Sequence, residues 1–548
     1  MFSVRAVTLL SVMIYVSHAV AAPDAHVSVN LGSVTHANAP LQWGMSVDAR
    51  SSFTSGGNPI GYYSPVDGSP LAIGQQWEDD FRQTSLRYPL GPINVWDWKA
   101  TIGPVASRPV QSVPGIGQKA AFGLDEYLKM AERNGVSGDN QHMLINIYGN
   151  ISNPDMTQAA QSAADLVEYL NMPAGQGYAW ADLRAQYNLD HPQPYGIGIF
   201  NLGNEPWATN EYDFRTAGTA SDGAVQYATD MVPFTVAMRA VDSTIRITAM
   251  AAGPKAPPQA AAGHLWDQKL LTTLGPHIDG LSVNIYYDSE SPEIAIRGVD
   301  KMELYVNQLR SDVDMTAQQL GKPMALMIGE HAHAIDIDSS TNPPTNFDPD
   351  VPMQWQGAVT TADFMMMLSH KNIERAHYFI WGNGAAVWHP IRYDGTDIGG
   401  NQIMTVLPTA SLYDVLGDMI EENALDATVT NLAGNSSDNI SYSVRAGAFL
   451  SDDASILRLI LVNRDPTLVR SVDLSTLANY SLANGLQLTG ADPLAELMQV
   501  TSLGVTAAQT SFSLPALSVT VLSYQVVPEP SLVTLLPLAG LALRWRRR

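Results

Sequence analysis

Eight short apolar runs of β-type residues recur between residues 40 and 405, and helical patterns separate them. This alternation is typical of parallel strands joined by crossover helices. Because eight such strands can close on themselves, we predict an α/β fold with a (β/α)8 TIM barrel. A doubly wound open sheet is the alternative, but no Gly-rich phosphate loop follows the first run. The predicted strands are residues 41–47, 84–88, 143–148, 197–202, 245–250, 281–286, 325–328 and 376–381, with helices at 124–132, 159–170, 304–320 and 362–370 among those between them.

The pattern changes after about residue 408. Short alternating runs are now separated by Asn, Asp, Gly and Ser, as is typical of an antiparallel β-sandwich. We expect an early strand at residues 26–31 to join this sandwich, so that the barrel is inserted between its parts. The predicted sandwich strands are residues 441–444, 456–462, 471–474, 486–488, 498–500 and 518–526.

Residues 1–21 have the three parts of a secretory signal. Arg5 is the positive start, residues 7–16 are the apolar stretch, and Ala19-Val20-Ala21 is a small-residue cleavage site. A buried first helix is the alternative. The chain has no Cys, so disulfides, thiol catalysis and Cys-ligated metals are excluded.

The carboxyl end also has three parts. Val527-Pro528-Glu529-Pro530-Ser531 precedes an apolar run at residues 532–543, which is short for a bilayer-spanning helix, and then a basic cluster at residues 544–548. This tail resembles the PEP-CTERM sorting signal of Gram-negative bacteria. The resemblance implies transient membrane anchoring, processing by the membrane sorting machinery, and release to the cell surface or the outside. A frayed apolar terminus is the alternative.

These patterns predict five segments: a signal peptide at 1–21, an N-terminal sandwich strand at 22–39, the barrel at 40–407, the sandwich at 408–526 and a sorting tail at 527–548. The chain carries 53 acidic and 30 basic residues, a net charge of −23. This charge argues against nucleic acid or an anionic membrane surface as a partner. It is compatible with a neutral substrate such as a carbohydrate. The sequence gives no signal for an oligomeric state.

Two carboxylates follow predicted barrel strands directly. Gly203-Asn204-Glu205-Pro206 ends the fourth strand, and Gly329-Glu330 ends the seventh. Because the carboxyl ends of barrel strands form the active face, we expect Glu205 and Glu330 to meet there. Paired carboxylates of this kind are what glycosidic bond cleavage requires. A turn at Asn-Glu-Pro and a helix cap at Glu330 are the alternatives.

In a retaining glycosidase the two carboxyl groups lie about 5–5.5 Å apart. We assign Glu205 as the acid/base and Glu330 as the nucleophile. Asn204 is expected to bind the sugar hydroxyl next to the anomeric carbon. Arg87 ends the second strand and would keep Glu330 ionised through its positive charge.

Further polar and aromatic residues are expected on the same face. Tyr286 would donate to the nucleophile, Trp381 would stack on a sugar, and Trp207 would line the leaving-group site. Trp96 and Trp98 follow the second strand in a loop, where contact with substrate is favoured over burial. Core packing is the alternative for each aromatic residue, and a barrel ion pair is the alternative for Arg87.

His331 and His333 are two residues apart on a strand, which leaves a metal site as an alternative. No Gly-x-Ser-x-Gly elbow indicates a Ser-His-Asp triad. We therefore expect neither a metal nor a cofactor.

Several motifs of the barrel region carry a family resemblance. They are Leu86-Arg87-Tyr88-Pro89, Asp97-Trp98-Lys99, Ile102-Gly103-Pro104, Phe122-Gly123-Leu124-Asp125-Glu126-Tyr127, Val167-Glu168-Tyr169-Leu170-Asn171, Leu183-Arg184-Ala185, and Pro194-Tyr195-Gly196 ahead of Gly203-Asn204-Glu205. Across residues 40–335 the chain resembles the family 51 glycoside hydrolases, the α-L-arabinofuranosidase family of the Glu-Glu barrel clan. The resemblance implies retaining hydrolysis, and it implies a flanking sandwich.

The chain departs from that family where the sugar is read. Leu90 replaces a glycine, Asp48 stands in place of a sugar-binding Glu, Asn284 replaces a His, and His331 replaces a Trp. A glucanase or xylosidase of the same clan is therefore an alternative, as is a non-catalytic glycan-binding protein of an exopolysaccharide matrix. The candidate substrate-binding residues are Asp48, Arg87, Trp98, Asn146, Asn204, Trp207, Asn284, Tyr286, His331 and Trp381.

Overall fold

The structure is a computed structural model. It describes residues 23–526 apart from residues 56, 91–93, 95, 112–116, 150–154, 190, 208–219, 254–264, 288–291, 334–352, 384–387, 400–401, 432–443, 475–476 and 478–479. The predicted signal peptide and sorting tail therefore lie outside the described residues. No helix of the described part combines the length and apolar character needed to cross a membrane.

The strands are numbered in chain order. They are β1 (Ala25–Ala37), β2 (Gly44–Asp48), β3 (Thr54–Ser55), β4 (Asn58–Pro59), β5 (Leu86–Leu90), β6 (Gln141–Leu144), β7 (Ile199–Leu202), β8 (Arg246–Met250), β9 (Gly280–Tyr287), β10 (Ala325–His333), β11 (Ala376–Trp381), β12 (Ile391–Thr396), β13 (Gln402–Val406), β14 (Asn423–Asn431), β15 (Val444–Leu450), β16 (Ile456–Asn463), β17 (Arg470–Asp473), β18 (Tyr480–Thr489), β19 (Gln499–Ser502), β20 (Ser511–Leu514) and β21 (Ser518–Val526).

The helices are numbered in the same way, and 3-10 turns lie at Ala39–Trp43, Trp98–Thr101, Val105–Ser107, Gly138–Asn140 and Gly275–His277. The α-helices are α1 (Ala72–Asp80), α2 (Leu124–Arg133), α3 (Met156–Asn171), α4 (Ala179–Tyr187), α5 (Ala220–Val241), α6 (Leu265–Leu274), α7 (Pro292–Leu320), α8 (Trp355–Ser369) and α9 (Pro408–Gly417).

Eight parallel strands close into a barrel in the order β10-β11-β2-β5-β6-β7-β8-β9. Strands β2 and β5 are buried at every position, because helices cover their outer side and side chains fill the interior. The predicted (β/α)8 barrel is confirmed. The strand bounds moved by a few residues, and β10 runs five residues beyond the predicted end at 328.

Helix α9 corrects one predicted boundary. Residues 408–417 were assigned to the sandwich, but Pro408 begins a helix whose Leu412, Tyr413 and Leu416 are buried in the barrel core. This helix follows strand β11 after the β12–β13 hairpin and covers the outside of the barrel. The sheet domain therefore starts after α9.

The accessory domain is one continuous nine-stranded sheet, in the order β19-β18-β21-β16-β15-β14-β1-β17-β20. Strand β1 pairs antiparallel with β14 and parallel with β17, so the amino-terminal strand lies inside this sheet. Apolar side chains from β1, β15, β16, β20 and β21 share a second core. Three strands differ from the prediction. Strand β15 begins at Val444, while residues 441–443 lie outside the described part, and strands β14 and β20 were not predicted.

Helix α8 joins the two domains. All fifteen of its residues, Trp355 to Ser369, are buried, since it lies between the barrel and strands β15 and β16. The Trp355 indole donates to the carbonyl oxygen of Leu517 at 2.7 Å. The carboxyl ends of the barrel strands form the mouth of the barrel, where Glu205 follows β7 and Glu330 lies on β10.

Candidate active site

Glu205 leaves the barrel just after strand β7. Gly203 has a φ of 74°, which favours glycine, and a Cβ there would lie 2.5 Å from Asn94 Oδ1. Glu205 itself has a φ of 37°, a conformation that costs a non-glycine residue free energy and clusters at functional sites. The turn brings the half-buried Glu205 side chain within hydrogen-bond distance of Asn284 on strand β9.

Glu330 is directed into the barrel by a bulge in strand β10. Ile328 pairs with Val283 and Glu330 pairs with Asn284, so Gly329 is one extra residue on this strand. A Cβ on Gly329 would lie 2.6 Å from Ser282 Oγ. A side chain at Gly329 would therefore collide with strand β9, and the bulge places the Glu330 carboxylate against Arg87 and Tyr286.

Arg87 bridges the two strand ends. Its Nη1 donates to Glu330 Oε1 at 2.7 Å, and its Nη2 donates to Asn204 Oδ1 at 2.8 Å. Arg87 is fully buried and Glu330 is 3 % exposed. A buried guanidinium with these two bonds fixes the orientation of both partners.

Strand β9 completes the hydrogen-bond network. Tyr286 donates its hydroxyl to Glu330 Oε2 at 2.5 Å, so both oxygens of Glu330 accept a hydrogen bond. Asn284 Nδ2 donates to Glu205 Oε1 at 2.9 Å and lies 3.3 Å from Asn204 Oδ1. Glu205 and Glu330 thus belong to one connected network through Arg87, Asn204 and Asn284.

The two carboxylates have different electrostatic environments. Burial, and then the negative charge of Glu330, raise the pKa of Glu205 to about 7, although Asn284 and Arg87 act in the opposite direction. Burial and the neighbouring Glu330 also raise the pKa of Tyr286 well above its usual value, so this hydroxyl stays a donor. A carboxyl that titrates near neutrality beside an arginine-paired carboxylate is suited to acid/base chemistry.

Four predicted substrate-binding residues are buried elsewhere, namely His331, Trp381, Trp98 and Trp207. His331 points away from Glu330, because successive strand residues face opposite sides, and it lies between Tyr413 and Phe364. Trp381 is fully buried with its ring 6.0 Å from that of Trp77. The predicted substrate contacts of both residues are therefore wrong.

The loop after strand β5 is also packed into the fold. Trp98 donates to the Ser162 carbonyl oxygen at 3.2 Å and packs against Trp180 on helix α4, with Trp96 buried nearby. The prediction that these indoles face substrate is wrong, because the loop folds back onto helix α3.

Trp207 is 5 % exposed, and its ring centroid lies 5.8 Å from that of Trp266. It therefore packs in the core instead of lining an open leaving-group site.

Asp48 and Asn146 are at strand ends but are engaged by protein groups. Asp48 is fully buried and accepts bonds from Arg50 Nη2 at 2.7 Å and Asn383 Nδ2 at 3.0 Å. Asn146 Oδ1 accepts from the backbone N–H of Tyr148 at 2.9 Å and so shapes its own loop. Asp48 has no exposed oxygen for a sugar, and substrate binding by Asn146 stays a prediction.

Three residues of the site were not predicted. Asn94 holds the backbone of Asn204 from both sides, accepting from its N–H at 2.8 Å and donating to its carbonyl oxygen at 2.7 Å. Phe379 and Trp388 are half-buried, and their rings lie 6.0 and 5.8 Å from the ring of Tyr286. For these three residues the sequence offered one signal, the indole of Trp388 beyond the eighth strand. Asn94 lies in a segment without periodicity and gave none.

The described residues contain no group of three His, Asp or Glu side chains placed to hold a metal ion. Burial lowers the pKa of His331 to about 3 and that of His333 to about 4. His333 Nε2 lies 3.0 Å from the Gly357 carbonyl oxygen, so the two imidazoles have separate partners. These contacts account for both histidines as packing residues.

Comparisons with known proteins agree with this architecture. Residues 78–278 match the sequence model of the family described as the alpha-L-arabinofuranosidase 1 domain. The matched region includes Arg87, Asn204 and Glu205. The barrel is similar to that of α-L-arabinofuranosidases.

Two curated relatives extend the likeness. The intracellular exo-alpha-(1->5)-L-arabinofuranosidase 1 of Bacillus subtilis is 28% identical over 229 residues, which cover 39% of each chain. The exo-alpha-(1->6)-L-arabinofuranosidase of Bifidobacterium longum is 26% identical over 285 residues, covering 47% of this chain and 48% of that protein. The chain thus matches less than half the length of these relatives.

A solved structure, the family 51 alpha-L-arabinofuranosidase from Bifidobacterium longum, covers more of the chain. It superposes with a TM-score of 0.74 at 18% identity, over 92% of this chain and 100% of that one. At this identity the likeness establishes the fold, a TIM barrel with an accessory sheet.

Proposed function

We propose that the protein is a retaining glycoside hydrolase. Glu330 attacks the anomeric carbon while Glu205 protonates the leaving oxygen, and Glu205 then activates the water that releases the sugar. The observation that carries the proposal is the joining of Glu205 and Glu330 in one network with opposite electrostatic roles. Arg87 and Tyr286 hold Glu330 as an oriented carboxylate, while the pKa of Glu205 is raised to about 7.

The geometry supports this division of roles over the reverse one. A nucleophile must be ionised and aimed, and Glu330 accepts one bond at each oxygen from a cation and a hydroxyl. An acid/base must exchange a proton near the working pH, which a pKa of about 7 permits. Asn204 lies between them, held by Arg87, where a hydroxyl beside the anomeric carbon would bind.

The substrate class we propose first is an α-L-arabinofuranoside, supported by the likeness of residues 78–278 to the arabinofuranosidase domain. A pyranoside of the glucose or xylose type is the second candidate. The burial of Asp48 under Arg50 and Asn383 favours it, because no carboxylate is left at that strand end to bind sugar hydroxyls. A non-catalytic glycan-binding role is the outcome if no glycoside is cleaved.

The test uses nitrophenyl glycosides and polysaccharides with the wild type, Glu205→Ala and Glu330→Ala. Glu330→Ala should lose turnover by roughly 10⁴-fold or more, and azide should restore it with a glycosyl azide of inverted configuration. Glu205→Ala should keep activity on substrates whose leaving group needs no proton. Exposed Glu496→Ala is the matched control and should behave as the wild type. Hydrolysis that survives both site mutations would contradict the proposal.

We also propose export, with transient anchoring through the carboxyl tail and release at the surface of a Gram-negative cell or outside it. Residues 1–21 and 527–548 support this by their composition. Mass spectrometry of the mature termini after cell fractionation tests it. A cytoplasmic protein that retains both segments would contradict it.

A further inference from the structure

One amide lies between the two halves of the site. Asn284 Nδ2 is 2.9 Å from Glu205 Oε1 and 3.3 Å from Asn204 Oδ1. Asn284 is 3 % exposed and sits on strand β9, paired with Glu330 beside the Gly329 bulge. Its position on a rigid strand, between two groups with assigned roles, raises the question of what it adds to the chemistry.

Arg87 decides which way this amide faces. An arginine can only donate, so the Asn204 atom at 2.8 Å from Nη2 is the amide oxygen. Asn284 must then present its NH2 group to that oxygen, because the flipped amide would bring two acceptor oxygens together. The same NH2 group therefore faces Glu205 Oε1. The series of hydrogen bonds from Arg87 through Asn204 to Asn284 therefore ends at Oε1 of Glu205.

We infer that Asn284 is a positioning residue that confines the catalytic proton of Glu205 to Oε2. An Oε1 atom that accepts an N–H cannot also direct its own proton at that donor. In the proposed hydrolysis, which this inference builds on, the Oε2–H bond breaks as the proton passes to the leaving oxygen. The proton returns to Oε2 from the attacking water in the second step, so Glu205 ends unchanged.

Burial favours the protonated form of Glu205, and four groups of the described residues face its carboxyl from the surrounding elements. Glu330 on strand β10 favours the protonated form, while Arg87 on β5 and Asn284 on β9 favour the ionised form. Tyr286 on β9 stays neutral, because its own pKa is raised. Loss of the Asn284 donor should therefore shift the alkaline limit of activity upward, in addition to freeing the proton to occupy either oxygen.

The experiment measures kcat and kcat/KM against pH for nitrophenyl glycosides with good and poor leaving groups. Asn284→Ala should raise the alkaline limit by about half to one unit. It should also slow substrates with poor leaving groups on the order of tenfold more than those with good ones. Asn284→His retains an N–H donor and should recover most of both effects. A purely structural role would lower all rates equally, leave the alkaline limit in place and contradict the inference.

A matched control separates this effect from general loss of a buried amide. Asn188 is also buried and donates to the Asp125 carboxylate at 2.9 Å, outside the barrel. Asn188→Ala should leave the pH profile and the leaving-group dependence unchanged. If it shifts them as Asn284→Ala does, the inference is overturned.

A second measurement keeps the inference testable if no glycoside is hydrolysed. Infrared difference spectra, with Glu205→Gln as the blank, follow protonation of the Glu205 carboxyl directly. The isosteric Asn284→Asp variant should raise that pKa by at least as much as Asn284→Ala, since it replaces a donor by an acceptor. An unchanged titration of Glu205 would overturn the role of Asn284, whereas inactivity on all glycosides would overturn only the proposed function.

Discussion

Two ion clusters of this chain, one at the barrel mouth and one at the interface between the domains, differ in charge balance. At the barrel mouth, the carboxylates of Glu205 and Glu330 share one cation among the described residues, Arg87. At the interface between the domains, helices α7 and α8 meet strands β15 and β16 with three carboxylates and three cations. The interface members are Asp300, Glu303, Asp363, Lys371, Arg445 and Arg464.

The difference shows how similar side chains serve two purposes. Arg445 contacts Asp363 at 2.5 Å, Asp300 at 2.8 Å and Glu303 at 3.1 Å, so charge is neutralised where the domains join. At the mouth, Arg87 pairs with Glu330 and not with Glu205, and the pKa of Glu205 is raised to about 7. Balance gives a structural cluster, and a deficit of positive charge gives a group that can exchange a proton.

The largest effect is expected when the mouth loses its cation. Arg87→Met should lower kcat/KM on the order of 10³-fold, because Glu330 and Asn204 both lose their orienting donor. It should also cost about 3–5 kcal/mol of unfolding free energy, since Glu330 is left as an unpaired buried charge. Kinetics and urea denaturation measure the two effects. Arg87→Lys keeps the charge without the planar fork, and full activity in it would contradict the bridging role.

The interface should respond in stability alone. Arg445→Met should lower the unfolding free energy by about 1–3 kcal/mol, because three carboxylates lose a shared donor while Arg464 and Lys371 still pair with them. The kcat/KM of the folded variant should stay that of the wild type. Arg392→Met, which breaks a partly exposed pair with Glu496, is the control and should cost less than about 1 kcal/mol. A drop in kcat for Arg445→Met would end the separation of the two clusters.

The pH dependence should follow the deficit of charge at the mouth. Because Glu205 must be protonated to act as the acid, kcat/KM should fall about tenfold per unit above a pH of about 7. The free energy of unfolding should change in the same direction. Because folding raises the pKa of Glu205, its contribution to stability is fully present below the usual Glu pKa and is lost as the pH rises through about 7. Glu205→Gln should flatten both the alkaline fall in kcat/KM and the fall in stability. An alkaline limb that persists in this variant would assign the titration to another group.

The sequence predicted the members of the mouth cluster better than their surroundings. Glu205 and Glu330 follow apolar runs, and the carboxyl ends of barrel strands must meet, so their convergence with Arg87 follows from topology. Topology does not determine which side chains face inward. The Gly329 bulge in β10 shifts the register by one residue, and no apolar pattern announces such a bulge.

The strand end at β11 shows the same limit. Its pairing with β2 is irregular between Tyr378 and Trp381, and Trp381 turns into the core beneath helix α1. Trp388 lies beside Tyr286 instead, and its indole donates to the His333 carbonyl oxygen at 2.8 Å, a tertiary contact that no local pattern predicts. The long loop that carries Asn94 gave no periodic signal either. Local patterns thus predicted strand ends, and long-range packing decided the orientations.

The smallest effect is expected from the uncharged edge of the mouth. If charge drives the chemistry and the half-buried rings only bind, Trp388→Ala should raise KM about three- to tenfold, the loss of one stacking contact, with kcat nearly unchanged. Trp381→Ala is the matched control from the same strand end. It should cost about 3–5 kcal/mol of stability, because it empties a core position, without a specific change in KM. If Trp388→Ala instead lowers kcat at constant KM, the indole acts through Tyr286 on the orientation of Glu330. The catalytic cluster would then include an aromatic support, and the contrast with the interface would rest on more than charge.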